Sequence, residues 1–264
     1  MKTLIANNSV FYLRKDVYDS YKEYRDDFKQ VVKEREQSRS SFFHQSPQIY
    51  YRPFLVGYIT KICSKKSLSQ GCLHLAVYIL DMFMDQHHII PEKLLLVANV
   101  CLIMAAKHEE NAQKIPRSSE LNHLVDNQYP ITDYIKLEHY LTIHFFQHDI
   151  KLQCAVHYVF YFMQEFLTFE DLDNGKNLRT LFYDFHEAVS VHLDKIIEDV
   201  HYMQLYQPSK LAAAIIAAGR SDIGLTQWTK QLENLTEYKV DDLDEIVENL
   251  LEKKQLRCLH CDFE

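Results

Sequence analysis

Residues Leu94–Glu110 read "LLLVANVCLIMAAKHEE". Between Leu94 and Ala106 the only polar residue is Asn99. The stretch is shorter than the about 20 apolar residues a membrane span needs. A helix apolar on nearly all sides belongs instead at the centre of a helical domain. It ends abruptly in Lys107, His108, Glu109 and Glu110, with Pro116 soon after. A buried helix that delivers a tight charged cluster to the surface sets the fold and poses the functional question.

Composition supports a helical reading of the rest. The chain has 264 residues, 47% hydrophobic, with only 5 glycines and 6 prolines. Turn-rich β folds need more such punctuation. The length allows one large domain or two smaller ones. Net charge is −8, from 37 acids against 29 bases, a poor footprint for gripping nucleic-acid phosphates.

Apolar residues at helical spacing recur on both sides of the central stretch. Asp16–Gln37 reads as a charged helix with Tyr18, Tyr21 and Phe28 on one side, followed by the Ser-rich linker "SRSSFFHQSP". Tyr50–Ser64 forms a helix, and Ser67 or Ser69 caps the next, which carries "LHLAVYILDMFMD" to Asp85. Pro91 suits the first turn of the buried helix. Ser118 opens a short helix with Glu120 near its start, and Thr132 caps "DYIKLEHYLTIHFF". A second set of helices then follows: "KLQCAVHYVFYFMQEFL", "NLRTLFYDFHEAVSVHLDKIIED", "PSKLAAAIIAAG" stopping at Gly219, "TQWTKQLENLTE" and "VDDLDEIVENLLEKK". Each set has five helices, with the most apolar, alanine-containing one third. The chain is expected to be all-α, with two tandem five-helix repeats after an N-terminal helix.

Enzyme chemistry has no foothold. The sequence holds no Gly-rich phosphate loop and no Gly-x-Ser-x-Gly elbow. Fourteen histidines are scattered; His87-His88 are adjacent, and His139 and His144 lack the His-x-x-x-His spacing of a helical zinc site. Cys258-x-x-Cys261 has no second pair and reads as part of a frayed tail. The cysteines at 63, 72, 101 and 154 sit in apolar helical patterns, where buried free thiols are common. With no apolar leader at the start, an intracellular, reducing setting is expected. No metal or cofactor is expected.

These motifs together resemble the cyclin family. "YRPFLVGYI" looks like the start of the first cyclin-box helix, with Arg52 in the family's arginine position. "LAVYILDMFMD" places Asp81 at the second-helix aspartate, "AAKHEE" matches "ASKFEE", "IKLEHYL" carries Glu138, and "YQPSKLAAAIIAA" matches the second box. "RPFLV", "LHLAVYILDMFMD" and "KIPRSSELN" look most like the J-type cyclins. The resemblance implies a first box over residues 45–148 and a second over 149–255, flanked by an N-terminal segment (1–44) and a tail (256–264).

The resemblance also implies a function. Cyclins are non-catalytic subunits that bind and activate cyclin-dependent serine/threonine kinases in cell-cycle control, in the nucleus or cytoplasm. They hold a mobile kinase helix whose glutamate pairs with the ATP-binding lysine. Lys107, Glu138, His108 and Met104 fall at kinase-binding positions. Arg52 and Asp81 fall at a buried structural ion pair. Two departures stand out. His108 replaces the usual phenylalanine after the docking lysine. The family's substrate-docking patch falls on Tyr51, Leu55, Tyr58 and Leu95, without its tryptophan and glutamine, and Gly57 replaces its aspartate. The alternative is a cyclin-fold transcription-factor-like protein that does not act through a kinase. The acidic charge and the lack of a zinc ribbon speak against it.

Overall fold

The computed structural model describes residues 23, 24, 27, 29–31, 33–37, 46–147, 154–168, 171 and 177–261. Tyr18, Tyr21, Phe28, Asn174-Gly175 and most of the Ser-rich linker lie outside them. All described regular structure is helical.

The first half has five helices: α1 (Arg52–Lys66), α2 (Gln70–Gln86), α3 (Leu94–Glu109), α4 (Ser118–His123) and α5 (Ile131–Tyr140). Pro53 occupies the first turn of α1, where its missing N–H costs nothing. Ser67 ends α1 in a left-handed conformation, φ 50°. Ser69 caps α2, its hydroxyl accepting from the Cys72 N–H at 3.1 Å. The first turn of α5 differs from expectation: Pro130, with its fixed φ, is the residue that precedes the helix, and Thr132 lies inside it.

α3 is buried from Leu96 to Ala106. It packs against α1, α2, α4 and α5, which is why it tolerates no polar face. Asn99 is the exception, and both its amide oxygen and its amide nitrogen are bonded. Its Oδ1 accepts from the Tyr58 hydroxyl at 2.8 Å, and its Nδ2 donates to the Tyr134 hydroxyl at 3.1 Å. That amide holds α1, α3 and α5 in one register. Burial pushes the Tyr58 phenol up to about 12.

The second half comprises α6 (Ala155–Phe162), α7 (Leu178–Glu198), α8 (Val200–Leu205), α9 (Pro208–Asp222), α10 (Lys230–Thr236) and α11 (Val240–Cys261). Among the described residues, α8 is a helix that the sequence pattern does not separate from α7. Asp199 breaks the run from α7 and recaps it, its carboxylate accepting the His201 N–H at 3.0 Å. α9 does not stop at Gly219. A Cβ there would lie 2.9 Å from Val189 and 3.2 Å from Phe185, so the glycine permits close approach of α9 to α7. α11 runs through Cys258 to Cys261 rather than fraying at residue 256.

The N-terminal helical residues sit against this half. Glu36 accepts from the Ser209 N–H at 2.8 Å and the Ser209 hydroxyl at 2.7 Å, capping the start of α9. Lys29 and Lys33 both reach Glu237, at 2.6 and 3.1 Å.

Among the described residues no helix is long and apolar enough to cross a membrane. Among them, too, no group of three or more His, Cys, Asp or Glu side chains could hold a metal.

Candidate partner-docking site

The charged end of α3 meets α5. Lys107 Nζ donates to Glu138 Oε1. Lys107 is exposed and Glu138 half-buried, and both stand on helices rooted in the core. His108 is exposed beside them. Ile135, three residues before Glu138 on α5, is 61% exposed. Residues three apart share a helix face, so a large apolar side chain flanks the ion pair. A charged pair with an apolar neighbour on a rigid support has the make-up of a specific docking face.

Met104 does not belong to that face. It points into the core, 3% exposed, one turn before the corner. Position along α3 explains the difference: the helix is covered from Leu96 to Ala106 and opens to solvent at Lys107 and His108.

Arg52 and Asp81 meet inside the first half. Arg52 Nε donates to Asp81 Oδ1 at 2.8 Å and Nη2 to Oδ2 at 2.9 Å, both residues being 2% exposed. Nη1 also donates to the Glu198 carbonyl at 3.0 Å, tying α1 to the end of α7. The fork geometry is the bidentate one that only arginine provides.

The residues of the expected substrate-docking patch separate. Tyr51 is exposed and stacks edge-on with Tyr50 at 5.7 Å. Leu55 is wholly buried, because it lies on the core face of α1, so it offers no surface. Tyr58 and Leu95 are half-buried, and the Tyr58 hydroxyl is already committed to Asn99. The exposed apolar residues here are Tyr50, Tyr51 and Phe54.

A second buried ion pair escaped the sequence reading. Arg220, fully buried on α9, grips Asp171 through Nη1 and Nη2, both at 2.9 Å. It also donates to the carbonyls of Thr226, at 2.7 Å, and Phe166. Burial alone would push the Asp171 carboxyl up. The Arg220 guanidinium and the Thr168 N–H and hydroxyl outweigh it and hold the group below its ordinary 3.8. The only sequence signal was an arginine directly after an alanine-rich apolar run, a pattern shared by many helix C-termini.

Comparison with known proteins defines the class. The profile of the cyclin N-terminal domain matches residues 25–147, and that of the cyclin C-terminal domain matches residues 157–256. The chain belongs to the cyclin family. Its relatives include Cyclin-J of Homo sapiens, 30% identical over 230 residues, 85% of this chain and 59% of its own length. Cyclin-J of Xenopus laevis is 30% identical over 234 residues, covering 85% of this chain and 60% of its own. The G2/mitotic-specific cyclin-A of Drosophila melanogaster is 26% identical over 199 residues, 75% of this chain and 37% of its own. The chain thus spans about six-tenths of the length of its J-type relatives, 59% and 60% for the two above. A viral cyclin from herpesvirus saimiri has the same fold, with TM-score 0.66 and 17% identity over 84% of this chain and 96% of that one. A chain of the yeast RNA Pol II CTD kinase complex CTDK-1 also shares it, with TM-score 0.54 and 14% identity over 85% of this chain and 71% of that one.

Proposed function

We propose that this chain is the non-catalytic regulatory subunit of a cyclin-dependent serine/threonine kinase, acting in cell-cycle control in the nucleus or cytoplasm. Its two boxes are taken as residues 45–148 and 149–255. The observation that carries the reading is the corner where Lys107 and Glu138, from different helices, meet at the charged C-terminal end of a buried helix. In this reading the pair receives polar groups of the partner's mobile helix, and Ile135 supplies an apolar anchor. Holding that helix lets its glutamate pair with the ATP-binding lysine, the step on which kinase activity depends. His108, in place of the family's phenylalanine, adjusts which kinase fits.

Family membership supports the partner class, since cyclins are non-catalytic regulatory proteins. The test is an activation assay. Purified cyclin-dependent kinases, one at a time, are mixed with the purified chain and ATP. The expected result is that at least one kinase phosphorylates a protein substrate far faster with the chain than without it, while the chain alone is inactive. Phosphoryl transfer by the chain alone, or no activation of any kinase by folded chain, would contradict the proposal.

A further inference from the structure

The two glutamates that end the α3 motif turn inward. Glu110 Oε1 accepts the Ser69 N–H at 2.6 Å, at the start of α2. Glu109 reaches across to the second half. Its Oε1 lies 3.2 Å from His157 Nε2 on α6. Facing a carboxylate acceptor, that nitrogen carries the proton. The same carboxylate fills the space above Gly71, where a Cβ would lie 2.6 Å from Oε2. A methyl group there would oblige the Glu109 carboxylate to shift from the position in which it meets His157.

Three hydrogen bonds between described residues tie the two halves along this seam. Arg52 bonds the Glu198 carbonyl at 3.0 Å, and Gln70 Nε2 donates to Ser190 Oγ at 2.6 Å. Those two link α1 and α2 to α7. Of the three, only Glu109–His157 starts from the docking corner, two residues from Lys107. A charge-assisted bond is stronger than a neutral one and fixes direction as well as distance. The His157 bond favours the Glu109 carboxylate, while burial opposes it, and it is held below the ordinary range.

We propose that Glu109 is a positioning residue. Its bond to His157 locks the Lys107–Glu138 corner to the second box, so that a docking partner meets both boxes as one body. The proposal rests on the docking reading above.

The test uses the full chain with Glu109→Gln, His157→Asn, the double variant, and Gly71→Ala. The last puts a methyl group where the carboxylate lies and leaves its charge intact. Amide hydrogen exchange across residues 104–110 is measured first. It includes the Glu110 N–H, bonded to the Ala106 carbonyl at 3.0 Å. Each single variant should raise exchange there by about tenfold, the worth of one charged hydrogen bond, and the double variant no further. Affinity for the kinase found by activation should fall by about fivefold to tenfold through faster dissociation, again without additivity. Wild-type exchange in Glu109→Gln, or full additivity in the double variant, would overturn the lock. Unchanged binding by Lys107→Ala would instead overturn the docking reading, so the two failures are told apart.

Discussion

At the residue scale, burial and pairing assign different duties to charges that look alike in sequence. Arg52 and Asp81 are as buried as core leucines, and each satisfies the other. Removing one partner strands the other in an apolar interior, which costs about 3–5 kcal/mol. Asp81→Ala is therefore expected to lower unfolding stability by that amount in urea titration, with Lys61→Ala as an exposed control. A midpoint equal to that of the control would show that the pair contributes nothing. Lys107 and Glu138 differ. Their pair is partly exposed, at the surface, and such pairs are worth about 0–1 kcal/mol to folding. Their substitution should leave the fold intact. Glu109 resembles them in sequence and behaves like neither, since its carboxylate is spent on His157.

At the element scale, the second ion pair gives a pH dependence. Arg220 ties α9 to Asp171, whose carboxyl titrates below its ordinary 3.8 when folded. A depressed carboxylate adds stability that is present above its unfolded value and lost as pH falls through the folded one. Asp171→Asn should thus be less stable than wild type at pH 7, and the difference should shrink as the pH drops below 3.8. Urea unfolding at several pH values reads this directly. A difference that stays constant across that range would show that the carboxylate charge is not what stabilises the fold. The elements themselves were largely legible in the sequence, because apolar periodicity marks a helix wherever one face is buried. Their ends were less so. Gly219 looks like a helix stop and is in fact a packing contact with Phe185 and Val189. Asp199 looks like the tail of a long helix and is the cap of α8. Local residue types suggest an end, but the neighbouring helix decides whether the chain continues.

At the scale of the whole molecule, two helical halves share one apolar core and are also linked by a seam of hydrogen bonds, and the Lys107–Glu138 corner stands beside that seam. The corner was legible through the family motif, as was the residue type at Arg52 and Asp81. The seam was not. Glu109 and His157 lie 48 residues apart, and Gln70 and Ser190 lie 120 apart, with no spacing pattern to connect them. Met104 and Leu55 matched family positions, yet the packing of α3 and α1 turns both inward. A motif match places a residue on an element, and only the packing of that element settles its exposure.

The most direct test of the central claim is titration of Lys107→Ala and Glu138→Ala against a kinase identified in the proposed activation assay, with circular dichroism as the folding control. Truncating a charged residue at the centre of a desolvated interface costs about 2 kcal/mol or more, because the partner's polar groups are left unpaired. Each variant should therefore bind roughly thirtyfold more weakly, at about 1.4 kcal/mol per tenfold. The double variant should fall short of the product, because the two side chains share one network. His108→Phe should hold or raise the affinity for a typical cyclin-dependent kinase by restoring an apolar anchor. Wild-type affinity in both folded alanine variants would contradict the account and place the docking face elsewhere on the molecule.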